Sequence, residues 1–243
     1  MRIVEGVASP HVRVLTTTRD SGVSQGPYRS LNLAGHVGDD PAAVAENRRR
    51  LVDALALPGE PAWLEQVHGT RVLELAGDAP SEAADAAFAR KPGVVLAILT
   101  ADCLPVVLSE QDGAAVAVVH AGWRGMASGI IETAVEALAV APKRLQAWLG
   151  PAIGPVAYEV GADVRDAFVD RDAGAAAAFT PGRPDKWQCD LFALARRRLM
   201  AAGIGAISGG EFCTHTDADR FFSYRRDGQC GRMATLAWIE QKN

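Results

Sequence analysis

The sequence is short of histidine, of basic charge and of long apolar runs, and each shortage excludes a class of protein. Its 243 residues carry 25 Lys+Arg against 29 Asp+Glu, a formal net charge of −4. Nucleic acids and anionic membranes attract basic surfaces, so this mild acidity argues against either as the main partner. The longest apolar run, Val94–Leu99, is far shorter than the roughly 20 residues of a membrane helix. Arginine triplets at 48–50 and 196–198 lie in helical patterns, which is typical of solvated helix faces.

The cysteine pattern and the first residues indicate a cytoplasmic protein with reduced thiols. The four cysteines lie far apart and form no CxxC pair, unlike the disulfide framework of a small secreted protein: Cys103, Cys189, Cys213 and Cys230. Residues 1–10 contain no apolar run of signal-peptide length. The chain also lacks a Walker phosphate loop, a dinucleotide fingerprint and HExxH. Any chemistry must therefore come from a different arrangement of side chains.

The composition and the mixture of patterns predict the fold class. Hydrophobic residues make up 49% of the chain and charged residues 22%, as in a globular protein. No repeat, low-complexity linker or change of composition divides the sequence, so we expect one domain over residues 1–243. Strand and helix patterns mix without strict βαβ alternation. This favours an α+β fold, a single-domain mixed β-sheet sandwich flanked by helices.

Periodicity and turn residues predict the individual elements. The expected helices are Pro41 to about Leu55, Gly125–Ala139, about Gly161–Val169 and Asp190–Ala201. The expected strands are Trp63–Gln66, Arg71–Leu75, Val94–Leu99, Leu104–Leu108, Ala114–Val119, Leu145–Leu149 and Met233–Ile239. The turn residues of segment 180–185 predict a surface loop.

Cys103 and His120 are expected to lie on one face of a β-hairpin. They flank the predicted strands Leu104–Leu108 and Ala114–Val119. A four-residue turn at 110–113 would place Cys103 directly opposite His120, whereas a two-residue turn at 112–113 would make them diagonal neighbours. Side chains alternate faces along a strand, so both registers put the pair on the same face. Their separation would be about 4.5–5.5 Å or about 7–8 Å, which a metal ion or a thiolate–imidazole pair can bridge.

A thiolate with two imidazoles would match the three protein ligands of catalytic zinc, which leave a fourth position open. His68, at a Val-His-Gly corner, is a candidate third member, although the pattern alone does not place it there. Zinc lowers the pKa of bound water to about 7 and polarises an acceptor atom. Copper also suits this ligand set, but five histidines are too few for a multicopper oxidase. A metal-free Cys–His hydrolase is a further alternative.

Two other segments carry candidate binding residues. Arg124 stands at the start of a predicted helix, where the guanidinium and the helix N-terminus both favour phosphate or carboxylate. A structural arginine on a surface turn would give the same pattern. Segment 221–228 concentrates aromatic and cationic side chains. It is compatible with a binding wall for a flat ring, with an anion contact, and equally with a packed loop.

A series of short motifs occurs in order along nearly the whole chain. They are Ser30-Leu-Asn-Leu with His36-Val-Gly-Asp-Asp40, Asn47-Arg48, Gln66-Val-His-Gly69, Thr100-Ala-Asp-Cys103, His120-Ala-Gly-Trp-Arg-Gly125, Gly150-Pro-Ala-Ile-Gly-Pro155 with Tyr158-Glu159-Val160, and Phe222-Ser-Tyr-Arg-Arg-Asp-Gly228. In these motifs the chain resembles the YfiH-type family, once described as laccase-like polyphenol oxidoreductases.

The resemblance implies an α+β domain whose His68, Cys103 and His120 hold zinc and form the catalytic site. It implies phosphorolysis of purine nucleosides (adenosine, inosine, guanosine and methylthioadenosine), with adenosine deamination at the same site. Bacterial members are also associated with removal of a misincorporated serine from a cytoplasmic peptidoglycan precursor. An amide hydrolase using the same Cys/His site is therefore one alternative. A copper polyphenol oxidase, or a metal-binding module without turnover, is another.

Phosphorolysis requires an anion close to the sugar carbon, so we expect Arg48 and Arg124 to bind phosphate. Arg48 follows Asn47 on the first predicted helix, and Arg124 lies close after His120 in the sequence. The purine should lie against an apolar wall, for which Phe222 and Tyr224 are the candidates. The expected partners are thus purine nucleosides and phosphate, with no nucleic acid and no membrane.

Overall fold

Two β-sheets pack face to face, and helices cover their outer surfaces. The computed structural model describes residues 1–77, 80 and 82–241. The strands are β1 (Ile3–Glu5), β2 (Val12–Thr17), β3 (Ala62–Trp63), β4 (Val72–Glu74), β5 (Ala86–Ala89), β6 (Leu96–Thr100), β7 (Leu104–Glu110), β8 (Val116–Ala121), β9 (Leu145–Leu149), β10 (Glu159–Val160), β11 (Phe179–Pro181), β12 (Trp187–Cys189), β13 (Ala206–Gly209) and β14 (Met233–Ile239). The helices are α1 (Pro41–Leu55), α2 (Trp123–Ser128), α3 (Ile130–Ala137), α4 (Ala162–Val169), α5 (Leu191–Ala201) and α6 (Tyr224–Asp227).

Strand pairing defines two large sheets and one small one. The five-stranded sheet has the order β1-β2-β14-β6-β3, and the six-stranded sheet has the order β13-β9-β7-β8-β5-β4. Both contain parallel and antiparallel pairs. A three-stranded sheet, β10-β12-β11, stands apart from them. The predicted α+β sandwich of mixed sheets flanked by helices is confirmed.

Successive side chains of the central strands point to opposite faces of the sheet, and both faces are buried. Ile98 points into the core between the sheets, together with Val107 and Val118 from the six-stranded sheet. Its neighbour Leu99 points the other way and packs in the cluster that contains Leu51 of α1. All five residues of β6 are buried, as the uninterrupted apolar run predicts. Each fully buried aliphatic side chain contributes about 1.5–3 kcal/mol, so these layers dominate the stability.

Helix α1 begins where the sequence predicts. The Asp40 carboxylate accepts a hydrogen bond from the Ala42 N–H at 3.0 Å, and Pro41 occupies the first turn, where no N–H is required. The helix packs Leu51 against the outer face of the five-stranded sheet, and the buried Asn47 side chain bonds to Val23, Ser24 and Asn32 of the preceding loop. It ends at Ala56, which adopts the left-handed conformation. This helix therefore fixes the position of the preceding loop, residues 19–34.

Strands β7 and β8 form the predicted antiparallel hairpin. Leu104 pairs with Ala121 and Pro105 with His120, which is the register that makes Cys103 and His120 diagonal neighbours. The connection nevertheless runs through four residues, 111–114, since the Glu110 N–H donates to the Ala115 carbonyl. The same-face prediction for Cys103 and His120 holds in this register.

Four predicted elements differ in the structure: a helix, two strands and a loop. The helix expected over Gly125–Ala139 is two helices, because Gly129 has φ of +107° and ends α2 before α3 begins. The strands expected at 63–66 and 71–75 are shorter in the structure, where β3 covers Ala62–Trp63 and β4 covers Val72–Glu74, and they belong to different sheets. The expected loop at 180–185 begins as strand, since Thr180 and Pro181 pair with Gln188 and Trp187.

No helix in the described part of the chain is both long and apolar enough to cross a membrane.

We expect Asn47→Ala to lower the free energy of unfolding by about 2–4 kcal/mol, measured by urea denaturation. The buried Asn47 amide accepts from the Val23 N–H at 2.8 Å and donates to the Ser24 hydroxyl and the Asn32 carbonyl, both at 2.9 Å. Truncation would leave these groups unpaired. Arg49→Ala on the exposed face of the same helix is the control and should change stability little. Equal effects of the two variants would contradict this account.

Candidate functional site

His68, Cys103 and His120 meet at the open end of the β7–β8 hairpin. His68 lies in the segment that crosses from the five-stranded to the six-stranded sheet, Cys103 directly precedes β7, and His120 lies in β8. Their ligand atoms are all within 4.8 Å of one another. The Cys103 Sγ is 3.9 Å from the His68 Nε2, and the two imidazole centroids are 4.8 Å apart. The structure thus brings together the three side chains that the sequence selected.

Asp85 positions His120 through a contact with its imidazole, and His68 through a hydrogen bond to its backbone. Its completely buried carboxylate lies 2.8 Å from the His120 Nδ1 and accepts backbone N–H bonds from Val67, His68 and Gly69. The imidazole therefore presents Nε2 to the cluster, as in the carboxylate–histidine–metal arrangement. The same carboxylate stabilises the turn in which His68 adopts φ of +60°. These hydrogen bonds hold the pKa of Asp85 below its usual range, although burial opposes them.

Two glycines allow the three segments to approach closely. A Cβ on Gly122 would lie 3.1 Å from both the Cys103 Sγ and the His68 imidazole. A Cβ on Gly125 would lie 3.0 Å from the Gly69 carbonyl oxygen. Side chains at either position would push the His68 turn away from β8. The packing around the cluster therefore requires glycine at positions 122 and 125.

Cys103 and His120 each favour the charged form of the other. Burial raises the pKa of the Cys103 thiol, but the charge of His120 and hydrogen bonds from both imidazoles lower it to about 6. Burial lowers the pKa of His120, but the charge of Cys103 and the Asp85 hydrogen bond raise it to about 9. Binding of a metal ion would then displace the proton on Nε2.

The donor set fits a transition-metal ion. One thiolate and two imidazoles are the ligand types that zinc and copper prefer, and three protein ligands leave a position open for solvent or substrate. In the described residues, these three side chains are the only His, Cys, Asp or Glu group close enough to share an ion. A site with several copper ions, as in a multicopper oxidase, therefore has no support among them.

Two cavities adjoin the cluster and share His68, Ala101, Cys103 and Tyr224. The first, here the His36–Arg232 cavity, has a volume of about 390 Å³ and is also lined by His36, Gln66, Leu99, Thr100 and Arg232. The second, the Trp123–Arg225 cavity, has a volume of about 280 Å³ and is also lined by Asp102, Trp123, Arg124, Ile153, Tyr158 and Arg225. Two substrates could thus reach the cluster from different sides.

Arg124 and Tyr224 reach the site, whereas Arg48 and Phe222 do not line either cavity. The Arg48 guanidinium donates two hydrogen bonds to the Leu33 carbonyl, at 3.0 and 2.9 Å, and stacks on the Trp63 ring. The Phe222 ring is completely buried. In the structure both side chains make packing contacts, and the phosphate contact of Arg48 and the base contact of Phe222 stay predictions.

Sequence reasoning missed several residues that shape the site. Asp85 is a lone carboxylate among alanines, directly before β5, and this isolation in an apolar strand pattern is the signal that could have found it. Asp102, which lies between β6 and β7, accepts hydrogen bonds from the Thr214 hydroxyl and the Arg225 backbone N–H. It thereby ties the Cys103 segment to the segment that carries Tyr224. Tyr158 and Arg232 complete the cavity walls.

Comparison with known proteins identifies the family. The sequence model of a family described as "multi-copper polyphenol oxidoreductase laccase" matches residues 13–240. The chain belongs to this family. Within it, a purine nucleoside phosphorylase of Xylella fastidiosa (strain 9a5c) is 54% identical, over 98% of this chain and 96% of that protein. Purine nucleoside phosphorylase YfiH of Escherichia coli (strain K12) is 51% identical, over 94% of each chain.

Solved structures of the family have the same fold. The Neisseria meningitidis protein NMB0706 superposes with a TM-score of 0.94 at 45% identity, and the match covers 99% of this chain and 100% of that one. YlmD from Geobacillus stearothermophilus superposes with a TM-score of 0.87 at 32% identity, over 96% and 93% of the two chains. The YfiH-type family predicted from the motifs is confirmed.

If the cluster binds a metal ion, Asp85→Asn should weaken that binding by about 10–100-fold, because an amide can no longer accept all of these N–H bonds. Competition with a chromophoric chelator measures the affinity directly. Asp112→Asn, which removes an exposed carboxylate in the same hairpin, is the matched control. Wild-type affinity in Asp85→Asn would show that the carboxylate does not position the ligands.

Proposed function

We propose that the protein is a zinc-dependent purine nucleoside phosphorylase that also deaminates adenosine. The observation that carries the proposal is the His68–Cys103–His120 cluster at the junction of two cavities, in a chain about half identical to proteins named purine nucleoside phosphorylase. Phosphorolysis joins phosphate to the sugar carbon as the bond from that carbon to the purine breaks. Two cavities that meet at one reactive centre suit a reaction of two substrates.

Zinc bound by the three side chains would supply Lewis-acid chemistry and would activate water for deamination. The protein's own residues position the metal ligands and line the cavities. Asp85 orients both imidazoles, and the left-handed His68 turn keeps its side chain beside Cys103. Trp123 and Tyr158 provide flat surfaces in the smaller cavity, and the Tyr224 ring borders both. Arg124, which stacks on Trp123 at 4.4 Å, lines the smaller cavity, and Arg232 lines the larger one, so each cavity has a cationic side chain in its wall.

The product assay that tests this proposal uses zinc-loaded protein with inosine, with and without inorganic phosphate. We expect hypoxanthine and ribose 1-phosphate in amounts that depend on phosphate. Adenosine should yield inosine in the absence of phosphate, because deamination uses water. Oxygen consumption in proportion to bound copper would indicate a polyphenol oxidase instead. Serine release from a peptidoglycan precursor without any nucleoside reaction would indicate the amide hydrolase.

Cys103→Ala should lose zinc and reduce both nucleoside activities by at least about a hundredfold, since both depend on one site. Elemental analysis of the purified variant measures the metal, and the product assay measures the activities. Cys213→Ala is the control, because Cys213 is likewise half-exposed but lies outside the cluster. Phosphorolysis retained in Cys103→Ala would refute the shared site.

Arg48→Ala should lower stability and reduce phosphorolysis and deamination to a similar degree. The reason is that its guanidinium joins α1 to the Leu33 carbonyl and the Trp63 ring. Thermal denaturation and the two rate assays measure these effects. A selective loss of phosphorolysis, with stability unchanged, would instead give Arg48 the phosphate contact that the sequence predicted.

A further inference from the structure

Tyr158 is a firmly held aromatic residue whose hydroxyl takes no part in holding it. The residue directly precedes β10, is 8% exposed and packs among the apolar side chains that cover the six-stranded sheet. Its carbonyl accepts from the Cys189 N–H at 2.9 Å, and the Arg225 guanidinium lies over its ring, 5.1 Å from the centroid. These contacts fix the backbone and the ring, and none of them uses the hydroxyl.

The Tyr158 hydroxyl is open to the Trp123–Arg225 cavity, which the residue lines. Within the described part of the chain it makes no hydrogen bond, and its oxygen is not completely covered. The charges of Cys103, Asp102 and Arg225 act on the phenol, and all three of these residues line the same cavity. The hydroxyl is therefore available to a molecule that enters the cavity.

This hydroxyl is a hydrogen-bond donor at neutral pH. Burial raises the pKa of Tyr158, and Cys189, Cys103 and Asp102 act in the same direction against the charge of Arg225. The phenol therefore keeps its proton and offers it to an acceptor atom.

The polar neighbours of Tyr158 in the wall have other partners. The two Asp102 carboxylate oxygens accept from the Thr214 hydroxyl at 2.6 Å and from the Arg225 backbone N–H at 2.7 Å. The Arg225 Nη1 donates to the Glu159 carbonyl at 2.7 Å. A buried or half-buried polar group normally finds a partner, so the open Tyr158 hydroxyl is suited to a ligand.

The walls of the cavity suit a flat ring. The Arg124 guanidinium stacks on the Trp123 ring at 4.4 Å, which supports that ring as a flat surface. The aromatic and apolar side chains that line the cavity are Trp123, Tyr158, Tyr224, Ile153 and Leu191. Among the described residues that line the His36–Arg232 cavity, Tyr224 is the only Trp, Tyr or Phe. A purine has flat apolar faces and acceptor atoms at its edge, so apolar walls with a well-placed donor fit it.

We infer that the Tyr158 hydroxyl recognises the purine of the nucleoside, by donating a hydrogen bond to an acceptor atom at the edge of the ring. The inference rests on the proposed phosphorylase function and adds a residue that determines specificity for its substrate. Because the backbone and ring of Tyr158 are already fixed, little side-chain freedom is lost when the hydrogen bond forms.

The decisive variant is Tyr158→Phe, which removes the hydroxyl and keeps the ring. We expect the KM for inosine to rise about threefold to tenfold, as for a lost hydrogen bond between neutral groups, with the KM for phosphate nearly unchanged. The melting temperature should not fall, because the hydroxyl has no partner in the described part of the free protein.

Tyr28→Phe is the matched control. Tyr28 is similarly buried, at 7% exposure, but its hydroxyl donates to the Val37 carbonyl at 2.7 Å. This variant should therefore lose stability and keep the wild-type KM for inosine. An unchanged KM for inosine in Tyr158→Phe would overturn the inference, and so would a loss of stability as large as that of Tyr28→Phe.

Binding without turnover separates this inference from the proposed function. In calorimetric titrations without phosphate, inosine and the free base hypoxanthine should both bind Tyr158→Phe about threefold to tenfold more weakly than wild type. That result supports the contact even if inosine is not cleaved, a failure that would count against the proposed function alone. Equal affinities of wild type and variant would refute the contact even in an active phosphorylase. Weaker binding of inosine but not of hypoxanthine would assign the hydroxyl to the sugar and overturn the recognition of the purine.

Discussion

The arrangement of the site depends on one buried carboxylate. Asp85 accepts three backbone N–H groups from residues 67–69 and binds the His120 Nδ1. Burial of a carboxylate is unfavourable unless it is hydrogen-bonded, and removing a partner from such a buried pair costs about 3–5 kcal/mol. These four contacts provide the hydrogen bonds that the buried carboxylate needs, and they also fix the positions of His68 and His120. A single side chain therefore couples the turn between the sheets to strand β8.

The sandwich brings the ends of several strands to one edge. β6 ends at Thr100, β7 begins after Cys103, and β8 carries His120 near its end. Side chains at the ends of strands are held rigidly, so this edge fixes the positions of Cys103 and His120. The loops that follow the strands vary more freely in sequence and form the walls of the cavities. The sheet cores supply the stability, and Gly122 and Gly125 leave the space in which the His68 turn approaches β8.

The sequence predicted those parts of the site that follow from local periodicity. Alternation along two strands placed Cys103 and His120 on one face, and the hairpin confirms it. His68 came from family resemblance, because a turn between two sheets has no periodic signal. Asp85 was missed for the same reason, since its partners are distant along the chain. Arg48 and Phe222 were chosen from motifs alone, and the structure shows packing contacts for both, which a motif does not distinguish from contacts to a substrate.

The central claim is that Asp85 fixes the tautomer of His120, so that Nε2 faces the metal position. Histidine-selective ¹⁵N NMR of the zinc-loaded protein tests it most directly, because it reports which ring nitrogen carries the proton. The account predicts a protonated Nδ1, hydrogen-bonded to the carboxylate, and an unprotonated Nε2 whose shift changes when zinc is removed. A proton on Nε2, with Nδ1 unprotonated in the zinc-loaded protein, would contradict it.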